Sequence, residues 1–365
     1  LSVLILSGSP IIGSFEFRAR VDFVRIPGVI KLRNGDYTSL SMLISLDQTL
    51  ELRRSIIHHT AQVFDPDIFI VDKEPLGLKG EVKETLETLK QRGTPLVLGL
   101  RDVMDEPSLL SAEWQRKNVL PALEDLYDEI WVYGLPEIND PLTDLDLPPA
   151  VRDKMIYTGY LRRQVPRLKS SSPADGLMTE PFLLVTPGGG GDGEALVDWV
   201  LKAYESDTSL PLPALIVFGP FMAQKSQRRF SRRIKNLAKV EAITFDSHFE
   251  ALMARAAAVV AMGGYNTFCE ILSFDKPALI VPRMVPRREQ FIRADQARQL
   301  GLADMIVDDG CHDPATMAAA LHRLPSRAPP SKAVVPGLLD GLVNVDRLYM
   351  DCLRPVPLIV TSAVR

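Results

Sequence analysis

The chain has 365 residues, 46% hydrophobic and 24% charged, with a formal net charge of −4. That size and balance suit a folded protein of two domains, and the charge argues against a general nucleic-acid binder. The three cysteines, Cys269, Cys311 and Cys352, are few and widely spaced; they form no CxxC metal or redox site and point to a reducing compartment.

The chain enters at once into Ser2-Val3-Leu4-Ile5-Leu6-Ser7-Gly8, a buried-strand pattern closed by a small-residue turn. It lacks the charged front and cleavage site of a signal peptide. Short apolar segments around Val21–Ile26 and a polar turn at Arg33–Asp36 follow. Apolar residues at three- and four-residue spacing predict a long helix over Leu40–Val63, ended by Asp65-Pro66-Asp67. Strands are expected at Ile68–Val71, Leu96–Leu100 and Glu129–Gly134, with helices at Gly80–Arg92 and Trp114–Tyr127 between them. Strands alternating with helices imply a mostly parallel sheet covered on both faces.

Composition then shifts. Asp140–Pro149 and Lys169–Gly176 are rich in proline, aspartate and serine, and the region reads as an interdomain connection. The second half restarts the rhythm, with strands expected at Phe182–Thr186, Ala214–Phe218, Val240–Thr244, Ala257–Ala261, Ala278–Val281 and Ala303–Val307. Six such strands make a complete nucleotide-binding-type domain. No apolar run reaches the roughly 18–20 residues that span a bilayer.

Four places carry candidate chemistry. Pro187 is followed by Gly188, Gly189, Gly190 and Gly191, between a strand and a helix. Such a turn lets the backbone approach a phosphate, although a plain connection has the same composition. It is neither a P-loop nor a spaced GxGxxG. Gly263-Gly264 opens a second helix that carries Thr267 and Glu270. Thr267 can donate to a phosphate oxygen, and Glu270 reads equally as a clamp on a vicinal diol or as an acid favoured by the helix dipole. Glu289 and Gln290 follow the strand end at Pro282 and suit sugar hydroxyls or a solvated loop. Asp72, Lys73, Glu74, Arg101, Asp102 and Asp105 cluster after two strand ends of the first half, where a carboxylate could serve as general base. The basic run Gln227–Lys235 reads first as a solvated helix face. The five histidines form no HxxxH or HExxH, so no metal site is expected.

The stretch GGYNTFCEILSFDKPALIVPR, with the following EQFIRADQARQLGLA, resembles the donor-binding signature of GT-B glycosyltransferases. The likeness is to the branch that includes the lipid I N-acetylglucosaminyltransferase, the glycosyltransferase family 28 C-terminal-like group, and related bacterial glycosyltransferases. The residues that carry it are Gly263, Gly264, Thr267, Glu270, Asp275-Lys276-Pro277, Pro282, Gln290 and Gly301-Leu302-Ala303. The resemblance is dense over the second half and architectural over the first. It implies an α/β GT-B architecture of two Rossmann-like domains with parallel sheets facing a cleft. Residues 1–160 would form the acceptor side, 161–345 the nucleotide-sugar side and 346–365 a tail.

The resemblance further implies a UDP-sugar donor, with transfer of a hexose or N-acetylhexosamine, inverting and metal-independent. Glu270 would hold the ribose. Thr267, Gly263 and Gly264, with Gly188 to Gly191, would sit at the diphosphate. Glu289 and Gln290 would face the sugar; the family often carries two amides there, so Glu289 departs from it. Arg163 resembles a linker arginine at the cleft entrance. Phe245, Asp246 and His248 fall where the uracil edge is read, and Asp102 is the favoured base. No cofactor is implied. The acceptor would be lipid- or polysaccharide-linked, the location cytoplasmic with peripheral contact to the inner membrane face. The family's first strand and glycine turn have no counterpart, so the chain is expected to lack the first βα unit. A UDP-sugar hydrolase, a 2-epimerase and a non-catalytic sugar-nucleotide module are the competing readings.

Overall fold

The computed structural model describes residues 1–15, 17–31, 37–165, 176, 178, 181–189 and 191–353; most of the expected connection at 169–176 lies outside them. In the first half, β1 (Val3–Ser7), β2 (Val21–Arg25), β3 (Val29–Lys31) and β4 (Tyr37–Ser39) precede helix α1 (Leu46–Phe64). Then come β5 (Phe69–Asp72), α2 (Lys83–Gln91), β6 (Leu96–Arg101), α3 (Pro107–Arg116) and α4 (Leu120–Asp125). β7 (Glu129–Tyr133), α5 (Pro149–Arg152) and β8 (Met155–Tyr157) complete this half.

Helix α1 starts later than its apolar spacing suggests, because a capping box sets the boundary. Ser45 Oγ accepts from Gln48 N at 3.1 Å, and Gln48 Oε1 accepts from Ser45 N at 3.0 Å. Asp65 ends the helix in the left-handed region at φ 47°. The stretch expected as one helix over Trp114–Tyr127 is broken after Arg116 and resumes at Leu120. The sheet also differs from expectation. β5, β6, β7 and β8 form one parallel sheet in that order, β1 and β2 form a separate parallel pair, and β3 and β4 form an antiparallel pair.

The second half contains β9 (Leu183–Thr186), α6 (Glu194–Ser206), β10 (Ala214–Val217), α7 (Gln224–Ile234), β11 (Val240–Ile243) and α8 (Phe249–Arg255). β12 (Ala258–Ala261), α9 (Tyr265–Ser273), β13 (Ala278–Ile280), α10 (Glu289–Gln299), β14 (Asp304–Met305), α11 (Pro314–Arg323) and α12 (Gly341–Cys352) follow. The strands form one parallel sheet, ordered β11-β10-β9-β12-β13-β14. Successive strand residues point to opposite faces, so Leu183 and Val185 join α6, α7 and α11 in one core while Leu184 joins α8, α9 and α10 in the other. Burial on both faces explains why β9, β10, β12 and β13 read as unbroken apolar runs. The chain starts this sheet at β9, runs outward to β11, then returns to lay β12 on the other side of β9. That reversal is a topological switch point, where an α/β sheet opens a ligand crevice.

A returning helix and a buried ion pair help to join the halves. Helix α12 crosses the expected boundary at residue 345 and packs back on the first sheet, where Leu348 is buried with Val97 and Trp131. It starts against the chain's earlier passage, and only glycine fits there: a Cβ at Gly159 would lie 2.4 Å from Gly337 O. Farther along, Asp102 at the end of β6 meets Arg293 of α10. Arg293 Nε donates to Oδ2 at 2.7 Å and Nη2 to Oδ1 at 2.6 Å, with both side chains almost fully buried.

Removing one member of a buried, hydrogen-bonded ion pair leaves an uncompensated charge. Arg293→Met is therefore expected to cost about 3–5 kcal/mol, read as a lowered denaturant midpoint. The double variant Arg293→Met, Asp102→Leu should recover part of that loss. An unchanged midpoint in the single variant would contradict the role of the pair.

Candidate functional site

The switch point sets two turns side by side, one after β9 and one after β12. In the first, Gly188 adopts φ 85°, and a Cβ added there would lie 4.0 Å from Thr267 Oγ1 in the second. The first turn folds tightly on itself: a Cβ at Gly193 would fall 1.9 Å from Pro187 Cβ, so glycine is required where α6 starts. Gly189 and Gly191 belong to the same turn, and Gly190 lies outside the described residues. A third turn, Gly219–Met222 after β10, packs beneath it, since a Cβ at Gly219 would meet Gly188 O at 2.3 Å. This third turn was not singled out from sequence, although a Gly-Pro pair closing an apolar strand was there to be read.

Gly263 and Gly264 lead into α9, with Gly264 at its N-cap. The first N–H groups of a helix have no carbonyl partners within it. Thr267 is buried in this first turn and Glu270 lies one turn on. Arg163 approaches from the linker. Its main-chain N donates to Ser273 Oγ at 2.8 Å and its Nη2 to Asn266 Oδ1 at 3.0 Å. Its Nε is buried and has no hydrogen-bond partner among the described residues. Burial pushes the Glu270 carboxyl up to about 8; Glu250 acts in the same direction and Arg163 opposes it. Glu250 lies in the first turn of α8, which packs against α9 and follows the loop Phe245–His248. In this loop Asp246 Oδ1 accepts from His248 N at 2.8 Å, and Phe245 meets Phe15 of the first half edge-on, with ring centroids 6.4 Å apart.

Glu289 and Gln290 open α10 and are tied to the glycine turn through Arg283, which sequence reasoning passed over. Gln290 Oε1 accepts from Arg283 N at 2.9 Å. The Arg283 guanidinium contacts Glu289 Oε1 and donates to Asp192 Oδ2 at 2.5 Å. Glu289 Oε2 is buried with no partner among the described residues, an acceptor available to a hydroxyl. From the other side of the cleft come Lys73, after β5, and Arg101, whose guanidinium carbon lies 5.6 Å from the Tyr265 ring centroid. Burial lowers the Lys73 ammonium, and Arg101 and Arg287 lower it further.

Gly188, Gly189, Gly191, Gly263, Gly264, Thr267, Glu270 and Arg163 thus converge on one edge. Glu289 and Gln290 adjoin it through Arg283, and the Phe245–His248 loop adjoins it through α8. Asp102 is the exception to the expected set. Its carboxylate accepts from Tyr160 Oη at 2.6 Å, from Val103 N at 2.8 Å and from Arg293 twice, and it is fully buried. Four hydrogen bonds occupy its two oxygens and no surface of it is open, so an incoming hydroxyl has no path to it. Its place is structural, at the seam. Among the described residues no group of three or more His, Cys, Asp or Glu side chains could hold a metal ion, and no helix is long and apolar enough to cross a membrane.

Residues 182–333 match the glycosyltransferase family 28 C-terminal domain. No curated protein matches the sequence. Solved structures are similar over nearly the whole chain. MurG of Acinetobacter baumannii is 12% identical, with a TM-score of 0.54 over 96% of this chain and 87% of that one. UGT2 of Phytolacca americana, solved with UDP-2-fluoro-glucose and pterostilbene, is 12% identical, with a TM-score of 0.58 over 97% and 93%. UDP-GlcNAc 2-epimerase of Neisseria meningitidis, solved with UDP-GlcNAc, is 14% identical, with a TM-score of 0.58 over 97% and 99%. At these identities the likeness is one of fold. The chain has the GT-B fold of glycosyltransferases, and its match to the glycosyltransferase family 28 C-terminal domain is confined to residues 182–333.

Proposed function

We propose that the protein transfers a hexose or N-acetylhexosamine from a UDP-sugar to an acceptor hydroxyl. One observation carries this reading: the unpaired Nε of Arg163, Thr267 and Glu270 gather at the start of α9, facing the glycine turn after β9. The diphosphate lies between the two turns. The helix start, Thr267 and Arg163 stabilise the negative charge that grows on it as the glycosidic bond breaks, without a metal. Glu270 accepts from the ribose diol, and Glu289 Oε2 accepts from a hydroxyl of the sugar. The acceptor hydroxyl attacks in line from the first half, inverting the anomeric carbon. Since Asp102 is committed to the seam, the base is another group of that side. Lys73 and Arg101 of the acceptor side, with Arg287 facing them from the second half, give the cleft a positive lining suited to a lipid-phosphate or acidic polysaccharide carrier at the cytoplasmic membrane surface.

Removing a charged hydrogen-bond partner costs about 1.5–3 kcal/mol, so Glu270→Ala should weaken UDP binding about 10- to 150-fold by isothermal titration. Unchanged affinity in this variant would sink the ribose assignment. The pH dependence has a definite sign. Below about 8 the free carboxyl is protonated, and accepting from both ribose hydroxyls requires the ionised form. Uridine affinity should therefore rise with pH up to about 8 and level off above it, while Glu270→Gln should be flat. Uridine is the right probe because it carries no phosphate that titrates in this range. Arg163→Ala should weaken UDP about tenfold or more, as expected for loss of a charged hydrogen bond, and leave uridine unaffected.

A UDP-sugar 2-epimerase or hydrolase is the second reading, favoured by the likeness to the N. meningitidis epimerase. Incubation with UDP-hexoses and UDP-N-acetylhexosamines separates the two. Transfer predicts that the donor stays intact until an acceptor is added, whereas an epimer or free sugar without acceptor supports the second reading.

A further inference from the structure

The turn after β9 is shaped to receive an anion, yet it carries a carboxylate. Asp192 stands between Gly191 and Gly193, and both neighbours are held closely: a Cβ at Gly191 would lie 3.1 Å from Phe221 O, and one at Gly193 would run into Pro187. A negative charge beside a diphosphate seat works against it, so the task of the turn does not explain this residue. Nor does Asp192 cap α6, whose N-cap is Gly193. Its Oδ2 instead accepts from Arg283 Nη1 at 2.5 Å, 91 residues along the chain. An ion pair this open to water adds little stability. What it fixes is the direction of the arginine.

Arg283 follows Pro282 at the end of β13. In the sheet β12 lies between β9 and β13, so the bond crosses two strand spacings, about 10 Å, and passes the turn from which α9 starts. At its other end Arg283 arranges the start of α10. Its main-chain N donates to Gln290 Oε1 at 2.9 Å. An N–H can only donate, so the amide oxygen is turned inward and Nε2, with its two donors, is left for another partner. The guanidinium contacts Glu289 Oε1, and Glu289 Oε2 stays buried with no partner among the described residues. Glu289 also acts on the Lys73 ammonium, favouring its charged form, which sets this carboxylate toward the acceptor side. One arginine thus decides which atoms of Glu289 and Gln290 remain to be used.

We propose that Asp192 and Arg283 are positioning residues for the donor sugar: Asp192 anchors Arg283 across the donor edge, and Arg283 presents Glu289 Oε2 and Gln290 Nε2 to sugar hydroxyls. Such positioning rests on the reading of this edge as a UDP-sugar site, and deepens it by giving sugar discrimination to a residue of the phosphate turn that touches no sugar. The substrate class follows from the atoms offered. Oε2 only accepts and Nε2 only donates, so the sugar must present free hydroxyls there, each of which can do both. Replacing such a hydroxyl by hydrogen leaves the protein group buried and unpaired, and sites of this kind reject the deoxy analogue strongly. Without Asp192 the arginine regains rotamer freedom, Glu289 Oε1 loses its fixed partner, and the carboxylate turns away from the sugar.

Isothermal titration with UDP, UDP-glucose, UDP-galactose and the 3-, 4- and 6-deoxy analogues of whichever hexose binds more tightly tests this. The readout is the ratio of affinities between that hexose and its weakest deoxy analogue. In the wild type, loss of a hydrogen bond to a charged group should make the ratio about 10- to 150-fold. Asp192→Asn should cut the ratio by at least about threefold, while UDP binds as tightly as before or more tightly, because a negative charge has left the phosphate turn. A turn that is merely damaged would instead lose UDP and hexose alike. Arg283→Met should also cut the ratio, and adding Asp192→Asn to it should change the ratio no further, since one residue acts through the other. Asp192 is exposed, so Asp192→Asn carries the test even where Arg283→Met does not fold. The proposal is overturned by a wild-type ratio near one, by a ratio that Asp192→Asn leaves unchanged, or by equal losses of UDP and hexose in that variant. Failure of the wild type to bind UDP at all would overturn the UDP-sugar reading, and this proposal with it.

Discussion

The ion pair between Asp102 and Arg293 fixes how the two halves can be arranged. A carboxylate and a guanidinium leave water only when their hydrogen bonds are nearly all satisfied. Here Tyr160 Oη and Val103 N supply the donors that Arg293 does not, and Gly263 O accepts from Arg293 Nη1 at 3.0 Å. That last bond couples the seam to the donor edge. Arg293 belongs to the helix that Glu289 and Gln290 open, and Gly263 belongs to the turn that opens α9. The pair therefore orients both walls of the candidate site while touching neither sugar nor phosphate. Peripheral contacts repeat the pattern more weakly: Arg287 lies 3.3 Å from Glu113, and Arg288 N donates to Asp105 at 3.1 Å.

From this seam the chemistry follows by topology. The reversal of strand order between β9 and β12 brings two turns together that lie about 75 residues apart in sequence, as crevices at switch points do. Each turn leads into a helix, so both helix starts face one place, where anionic groups are favoured. Arg163 adds a full charge from the linker, and Glu270 adds a carboxyl whose burial pushes it up to about 8, with Glu250 acting in the same direction. The cost of keeping an acid there makes sense if a ligand repays it with two hydroxyl donors.

Much of this was legible in the residues. The inner strands of the second half, β9, β10, β12 and β13, read clearly because they are buried on both faces and stop at or near glycine or proline, and the structure moves the ends of all six by only a residue or two. Thr267 and Glu270 were legible because a glycine pair after a strand announces a helix start. Contacts between distant residues were not. Asp102 looks like any polar residue at a strand end, and only its partner on α10 shows that it is structural. Arg283 and Arg293 look like solvated charges, since nothing local distinguishes an arginine that bridges two loops from one in water. The return of α12 to the first sheet was hidden for the same reason: its apolar face shows that it packs, and not against what. The divided first sheet was half legible, because the run from Ser2 to Gly8 reads as an interior strand and the fold gives it a neighbour on one side only.

A structure of the protein soaked with a UDP-hexose tests the central claim most directly. The account predicts the diphosphate between the turn at Gly188–Gly189 and the start of α9, within hydrogen-bond reach of Thr267 and Arg163 Nε, with both ribose hydroxyls on Glu270. A nucleotide bound elsewhere in the cleft, or one whose ribose leaves Glu270 untouched, would contradict it.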